Sequence, residues 1–517
     1  MSDDTQRSVI FRHSTFNTGA LCKMATASRN EIPCSCDPTQ EPMEGSFNWA
    51  VTVQFEDGVE WIMRSPRSDY GQFPSELSGK LLASEAITLK HLKQVTDIPI
   101  PKVYSYSASS NNPIGVAYIL MSKAQGWPLR NVWTSNPSTD RLSSVDKAKV
   151  MSQLGQITWN LAQVRFDRIG SLFEEDGDIK IGQCMSRGHV LHQRYSLDEI
   201  PRGPFATESE FYDSLTTAMI HHAESLPLRP HCFVAPIPSR EDYENDAAHR
   251  DASDLWNGFK ALGDKIDSAE NRLDYILVAD AIKDIIAERT NSHPTHTLPD
   301  PFPLHHPDLS VNNIFIDDDF NITSIIDWSF CSSVPLAVLL APPGLPPSRH
   351  ALSEDLTKAF REGYKSASRP NSLSKRQPFL SSDELTILED SEFSWALIRL
   401  LTFDSTDDLR LFRTLWNTVH SDCDLETFIT SRRLLPHYVR LYEEVHAEDR
   451  PFSEVQKWEK DYFGNAIGFT IARNLTMVSN WGFRYKPHLN RFKNAKMFIA
   501  DRKLWTWVSR AKEQRDL

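Results

Sequence analysis

Residues 304–328 read LHHPDLSVNNIFIDDDFNITSIIDW, and the order of polar and apolar residues in this stretch decides the fold. Ile314 to Ile316 and Ile322 to Ile326 are two short apolar runs around Asp317-Asp318-Asp319, the pattern of a β-hairpin with an acidic tip. Ahead of the hairpin, His306, Asp308, Leu309 and Asn313 fall in the order H-x-D-L-x-x-x-N, and Asp327 closes the second run. At ordinary residue usage those four letters occur together by chance in roughly one chain in a few hundred, which weighs against an inert hairpin. Chelation of a transition metal by His305, His306 and Asp308 fails, because neighbouring residues of an extended segment point to opposite faces. The Asp triplet lacks the EF-hand pattern and reads as a solvated turn.

Upstream, FNWAVTVQF (47–55) and VEWIM (59–63) flank Asp57-Gly58, a strong hairpin signal. Leu82, Ala86, Leu89 and Leu92 then recur at helical spacing until Pro99 and Pro101 stop the pattern. The apolar run VAYILM (116–121) reads as a buried strand that Gly126 and Pro128 end, so the order through residue 128 is β-β-α-β-β. Beyond Leu129 helices dominate. Val150, Leu154, Ile157 and Leu161 mark one apolar stripe, and Tyr275, Val278, Ile282 and Ile285 mark another. Thr207 with Glu210 is a capping box opening a third helix, through Phe211, Leu215 and Met219. Residues 225–260 and 291–303, rich in Pro, Asp, Ser and His, read as loops, and the chain from Ser353 onward again reads as helical.

Composition narrows the possible partners. With 56 Lys+Arg against 69 Asp+Glu the net charge is -13, which gives no global basic field for a phosphate backbone, so nucleic acid is not expected. The longest apolar stretch, Val334 to Ala341, is far short of the ~20 residues that span a bilayer, and no membrane partner is expected. Seven dispersed cysteines read as reduced thiols, and Cys34-Ser-Cys36 lacks the second ligand pair that zinc needs. The first thirty residues lack an apolar secretory core. Arg7, Arg12, Lys23 and Arg29 without an acid over residues 5–30 faintly resemble a mitochondrial leader, against which stand Asp3 and Asp4. A cytoplasmic location is expected, with the mitochondrion as the alternative.

The segments EGSFNWAV, EWIMRSP, SEAITLKHL, IPIPKVY, YILM, RIGSL, RGPF, HPDLSVNNI, IIDWSF and APPGLP together resemble the aminoglycoside phosphotransferase and choline kinase superfamily, and especially its fungal phosphotransferase-like branch. The resemblance runs from about Phe16 to Pro347. It implies an α+β, protein-kinase-like two-lobed fold: a small N-terminal antiparallel β-sheet lobe with one key helix, and a large, mainly helical C-terminal lobe. The expected divisions are an N-terminal segment with a helix (1–44), a nucleotide-binding sheet (45–125), an inserted helical substrate subdomain (126–300), catalytic and metal-binding loops (301–347) and a C-terminal helical region (348–517).

By the same resemblance, Asn313 and Asp327 hold Mg²⁺ ions that bridge the phosphates of ATP. Asp308 orients the acceptor hydroxyl and takes its proton late, since an ordinary Asp is a weak base, and His306 braces the loop. Arg64 stands where kinases place a lysine and is expected to pair with Glu85 on the following helix. The backbone amides of Ser46, Phe47 and Asn48 cradle phosphate, and Met121 and Ser122 present backbone groups to adenine. Three departures mark this chain: Arg64 in place of lysine, whose planar fork is not equivalent to an ammonium; Gly45 alone in place of a glycine-rich loop; and Ser329 where relatives often carry an acid.

The function implied is ATP- and Mg²⁺-dependent transfer of the γ-phosphoryl group to a hydroxyl of a small molecule. The alternative is a nucleotide-binding scaffold of the same fold without catalysis. Protein kinase activity is disfavoured, because SFCSSVPLAVLLAPPGLPP follows Asp327 directly with no A-P-E segment. Acceptor choice is assigned to residues 130–300 and 350–517, where no motif is legible.

Overall fold

A computed structural model describes residues 9–67, 73–134, 139–226, 232–234, 240, 245–247, 249–250, 269–292, 301–345, 352–369, 381–402, 408–420, 424–447 and 497–499. Asp3, Asp4 and Arg7, the end of APPGLP, most of the loops expected at 225–260 and 291–303, and most of the chain after residue 447 lie outside the described residues. The chain is α+β as expected, with an antiparallel sheet near its N-terminus and mostly helices beyond it.

The N-terminal sheet has the order β1-β3-β4-β6-β5, with β2 also paired to β3. Its strands are β1 (Cys34–Ser35), β2 (Met43–Glu44), β3 (Asn48–Phe55), β4 (Glu60–Pro66), β5 (Val103–Ser107) and β6 (Tyr118–Ser122). The β3–β4 turn forms at Asp57-Gly58. Gly58 takes φ +83 with nothing within 4 Å of its missing Cβ, so backbone conformation rather than space selects glycine there. Arg29 closes the tip with two bonds to Asp57, of 2.7 and 2.6 Å.

The period of two along a strand sorts the side chains of this hairpin. Trp49, Val51, Val53, Phe55, Trp61 and Met63 are buried in one cluster with Ile10, Phe16, and Leu21 and Ala25 of α1 (Thr18–Ala27). Asn17 caps α1 by accepting from the Ala20 N–H at 2.9 Å. Arg64, in register between the buried Met63 and Ser65, is thereby sent to the opposite face, where it meets Glu85 of α2 (Ser75–Val95).

Farther along, α3 (Ser144–Ala162) packs against the helix Glu354–Ala367 through two glycines. A Cβ on Gly155 would stand 2.1 Å from the Phe360 carbonyl oxygen, and one on Gly363 would stand 1.9 Å from that of Ser152. Backbone meets backbone at this crossing. The hairpin read from residues 304–328 forms between Ile314–Ile316 and Ile322–Ile325, with Trp127–Pro128 as a third strand. Its acidic tip is a closed turn: Asp317 Oδ1 accepts from the backbone N–H groups of Asp319 (3.0 Å) and Asn321 (2.8 Å), and Oδ2 accepts from the Asn321 side-chain amide (2.9 Å). These donors hold the Asp317 carboxyl below the usual carboxylate range.

Two expected loops contain strands. Phe302–His305 pairs with Arg165–Phe166 on one edge and Ser332–Ser333 on the other, and Cys232–Val234 pairs with Met497–Ile499. In each case a partner distant in sequence supplies the ladder, which a Pro- and Ser-rich local composition does not reveal.

The chain divides into two compact units. The first comprises Met1–Val190, Pro201–Phe211 and Ser292–Ile398, and so contains the N-terminal sheet and the 304–328 hairpin. The second comprises Leu191–Ile200, Tyr212–Asn291 and Arg399–Leu517. Within the second, the helix Ala269–Ser292 buries Tyr275, Val278, Ile282 and Ile285, the stripe seen in the sequence. Its fully buried Arg272 donates to the carbonyls of Ala223 (2.6 Å) and Leu226 (2.8 Å), satisfying the open end of the helix Glu208–Ser225. The capping box at the other end of that helix forms as read, with Glu210 N–H on Thr207 Oγ1 at 3.2 Å and Thr207 N–H on Glu210 Oε2 at 3.3 Å.

Among the described residues no helix is long and apolar enough to cross a membrane. Cys22, Cys34 and Cys36 carry free thiols, and the Cys34 thiol donates to the Cys22 carbonyl at 3.3 Å. Burial pushes the Cys36 thiol up to about 12.

Candidate active site

The site is built on Glu85, whose side chain is 3% exposed and whose carboxylate collects three donors. Arg64 Nη2 donates to Oε2, the Ser329 hydroxyl donates to the same oxygen at 2.7 Å, and the Trp328 backbone N–H donates to Oε1 at 3.1 Å. Arg64 also donates through Nη1 to Asp327 Oδ1 at 3.1 Å. The two arms of one guanidinium thus join a helix carboxylate to the carboxylate that ends the hairpin run, each through its own nitrogen. Burial pulls the Arg64 pKa down, but the carboxylates of Glu85 and Asp327 outweigh it and leave it raised. Burial pushes the Glu85 carboxyl up, against the pull of Arg64.

Ser329 fits this arrangement. An acid there would set a second negative charge against the buried Glu85 carboxylate, whereas the hydroxyl supplies a donor. Asp327 itself takes φ +62, a left-handed conformation that costs most L-residues roughly 1–2 kcal/mol and that Asp tolerates better than most. Together with Phe330 at φ +63, it bends the segment so that consecutive groups from Asp327 to Ser329 face Arg64 and Glu85.

His306 links the second half of the site to the first. Its Nδ1 accepts from the Asp308 backbone N–H at 3.1 Å, and its Nε2 meets the Ile326 carbonyl at 3.0 Å. Those partners assign the proton to Nε2 and make the ring neutral. Burial, at 2% exposure, likewise pushes its pKa down, and the Trp328 ring packs edge-on at 4.7 Å. Asn313 donates through Nδ2 to the Asp308 carbonyl at 3.0 Å, while its own carbonyl accepts from the Ile326 N–H at 2.9 Å. Asp308, Asn313 and Asp327 are therefore tied together through backbone and imidazole.

The donor set suits a hard divalent cation. The amide nitrogen of Asn313 is spent on Asp308, so Oδ1 is the side-chain atom that could meet a cation, and Asp327 keeps Oδ2 beside the oxygen that Arg64 takes. Among the described residues no group of three or more His, Cys, Asp or Glu could hold a metal ion. One amide and one carboxylate are the sparse protein contribution typical of Mg²⁺ that is held largely by substrate phosphates and water.

The turn between β2 and β3 carries Ser46 and Phe47. It is closed by Gly45 N–H on the Asn48 carbonyl (2.8 Å) and Arg67 N–H on the Phe47 carbonyl (2.8 Å), with Arg67 Nη1 on the Gly45 carbonyl at 3.2 Å. Ser46, Phe47, Asn48, Arg64, Arg67, Glu85, Ser329 and Phe330 line one cleft, which brings the expected phosphate loop and the expected phosphate clamp together. Inside it Phe47 stacks on Phe73 at 5.5 Å and meets the edge of Phe330, also at 5.5 Å.

Met121 and Ser122 lie at the end of β6, away from the residues lining this cleft. The Ser122 N–H already donates to the Lys102 carbonyl at 2.9 Å and its hydroxyl accepts from the Lys102 N–H at 2.9 Å, so that amide is committed to the sheet.

Sequence reasoning missed Arg67, Phe73, Phe330 and Arg187. Arg187 opens a short helix (Arg187–Val190) and sets Nη1 3.4 Å from Asp308 Oδ2. Arg67 had a local signal, a second arginine three residues past Arg64, just beyond the end of β4. Arg187 had none.

No family model matches the chain. A subtelomeric hrmA-associated cluster protein of Aspergillus fumigatus is 27% identical over 321 residues, 58% of this chain and 58% of that protein. Altered inheritance of mitochondria protein 9, mitochondrial, of Yarrowia lipolytica is 24% identical over 235 residues, 40% of this chain and 39% of its own length. The chain therefore spans little more than half the length of the Aspergillus relative. Among solved structures, a Thermobifida fusca protein described as a candidate fructosamine-3-kinase superposes with a TM-score of 0.39 at 12% identity, covering 78% of this chain and 99% of that one. A Plasmodium vivax ethanolamine kinase gives 0.35 at 12% identity, over 78% and 83%.

Proposed function

We propose that this chain is an ATP- and Mg²⁺-dependent phosphotransferase that moves the γ-phosphoryl group to a hydroxyl of a small molecule. The observation that carries the reading is the pair of bonds made by His306, which holds the Asp308 backbone and the segment entering Asp327 in one arrangement with Asn313 between them. Phosphoryl transfer asks a protein mainly for positioning and charge stabilisation, and a rigid trio of oxygen donors on braced loops supports that role.

In this reading Asn313 Oδ1 and the open oxygen of Asp327 hold Mg²⁺, which supplies neutralisation of the phosphate oxygens. Arg64 keeps a guanidinium at the floor of the cleft, fixed by Glu85, and presents positive charge toward the phosphates. The turn amides of Ser46 and Phe47 close over the same space. Asp308 receives the acceptor hydroxyl through its carboxylate, aligns it for in-line attack, and takes the proton as the new P–O bond forms and the bond from the γ-phosphorus to the bridging oxygen of ADP breaks. His306 stays neutral throughout and fixes the loop without exchanging protons with substrate.

A second reading, a nucleotide-binding scaffold, draws on the bond from Arg64 to Asp327, which occupies one oxygen of a proposed metal ligand. Turnover separates the two. With γ-labelled ATP, Mg²⁺ and a panel of small alcohols, the phosphotransferase reading expects label on one acceptor and a loss of at least about 100-fold in Asp308→Asn, within the range that a positioned acid or base contributes. Acceptor labelling undiminished in Asp308→Asn and Asp327→Ala would remove the proposed roles.

A further inference from the structure

Arg187 sits beside the carboxylate that is assigned to receive the acceptor hydroxyl, and it is held there by more than its own side chain. The residues before it are anchored: the Met185 N–H donates to Ser171 Oγ at 3.0 Å, and Ser171 Oγ donates onward to the Cys331 carbonyl at 2.9 Å, in the segment that follows Asp327. The Cys184 N–H donates to the Arg202 carbonyl at 2.6 Å, and Cys184 and Met185 are 0% and 2% exposed. The backbone from which Arg187 extends is thereby fixed. Its side chain is 23% exposed and that of Asp308 is 42% exposed, so neither partner of this pair is sealed from solvent.

We infer that Arg187 makes the acceptor side of this site selective for alcohols that carry an anionic group, a carboxylate or a phosphate, close to the hydroxyl to be phosphorylated. The inference rests on the phosphotransferase reading and goes beyond it by naming the acceptor's charge. A planar guanidinium forms paired, charge-assisted bonds with carboxylate or phosphate. An ammonium-bearing acceptor would meet a like charge at the point where its hydroxyl must approach Asp308. The chain's net charge of -13 does not argue for cationic acceptors, because surface charges farther off than a Debye length of about 8 Å are largely screened. Among the described residues Arg187 is the cation set against Asp308, and it sets the preference in this inference.

The test uses four three-carbon probes of matched skeleton: glycerate, glycerol 3-phosphate, glycerol and 3-aminopropane-1,2-diol. Phosphorylation by the full chain is measured with MgATP, and binding of the same probes is measured by calorimetry with MgADP. The expected result is a kcat/KM for the better anionic probe at least about tenfold above glycerol and the aminodiol, the scale of one charge-assisted contact. Whether glycerate or glycerol 3-phosphate leads decides between carboxylate and phosphate. In Arg187→Gln that gap collapses through acceptor KM while the KM for ATP stays unchanged, and in Arg187→Lys the order survives. A residue that only stabilised Asp308 would instead lower kcat for all four probes alike.

Preference for glycerol or the aminodiol, an unchanged gap in Arg187→Gln, or anionic probes binding no better than glycerol would overturn the inference. The phosphotransferase reading would still stand wherever any probe is phosphorylated. Arg187-dependent binding of the anionic probes with no phosphorylation of any acceptor would do the reverse, keeping the anion site and removing the reaction.

Discussion

Arg64 and Asp327 are 263 positions apart in sequence and 3.1 Å apart in space, joined by one arm of a guanidinium whose other arm is on Glu85. That bond makes the arginine at this position a structural tie, beside the phosphate-clamp role proposed for it. It ties strand β4 to the end of the 304–328 hairpin, and Glu85 completes the tie through Trp328 and Ser329.

Removing the cation should therefore cost stability before it costs chemistry. Arg64→Ala leaves Glu85 buried without its partner, a change that typically costs about 3–5 kcal/mol. The two donors that remain on Glu85 place the expectation near the lower end. Arg64→Lys should keep the bond to Glu85 and lose the one to Asp327, destabilising by no more than about 1.5–3 kcal/mol, the worth of one charged hydrogen bond. Denaturant unfolding of both variants checks this, and equal losses would show that the bridge to Asp327 carries no separate weight.

His306 predicts a pH dependence. Burial lowers its folded-state pKa below the ordinary 6.5, so above about pH 6.5 both folded and unfolded forms are neutral and its contribution to stability is fully present. As pH falls below that value the unfolded chain takes up a proton that the folded ring resists, and stability declines by up to about 1.4 kcal/mol per pH unit until the folded pKa is reached. His306→Gln, which keeps a side-chain donor and does not titrate, should show a shallower slope below pH 6.5, by at most one proton. An identical slope in the two proteins would mean that His306 is not held neutral.

The crossing of α3 with the helix Glu354–Ala367 sets two effects of opposite sign against each other. Alanine is a better helix former than glycine by about 0.8–1.0 kcal/mol, yet a Cβ at Gly363 would stand 1.9 Å from a backbone oxygen that cannot turn aside. Overpacking of this kind costs about 1–3 kcal/mol or more, so the clash wins. Gly363→Ala and Gly155→Ala should each lower the melting temperature. A raised melting temperature in either would show that the helices separate easily.

Much of the fold was legible because its signals are local. Asp57-Gly58, the Leu82–Leu92 stripe and the Ile runs around Asp317 each encode their element within a few residues, and the structure forms all three. The strands Cys34–Ser35 and Met43–Glu44 escaped because two residues carry no period, and they exist only through pairing with β3. Another hairpin, Leu172–Glu175 with Asp178–Ile181, had a readable turn at Asp176-Gly177, where both residues take positive φ. At the site, the spacing of Asp308, Asn313 and Asp327 named residues that the structure brings together. Arg187 was invisible, since only the folded chain sets a lone arginine beside Asp308.

Asn313 and Asp327 are proposed to hold one divalent cation against the phosphates of a bound nucleotide, with Asp308 facing the acceptor. Mn²⁺ titration followed by electron paramagnetic resonance, with a non-hydrolysable ATP analogue, tests this without turnover. The expected result is a Mn²⁺ site that needs the nucleotide, weakens at least about tenfold in Asn313→Ala and Asp327→Ala as loss of a ligand should, and persists in Asp308→Asn. Nucleotide-dependent Mn²⁺ binding of equal strength in all four proteins would contradict it.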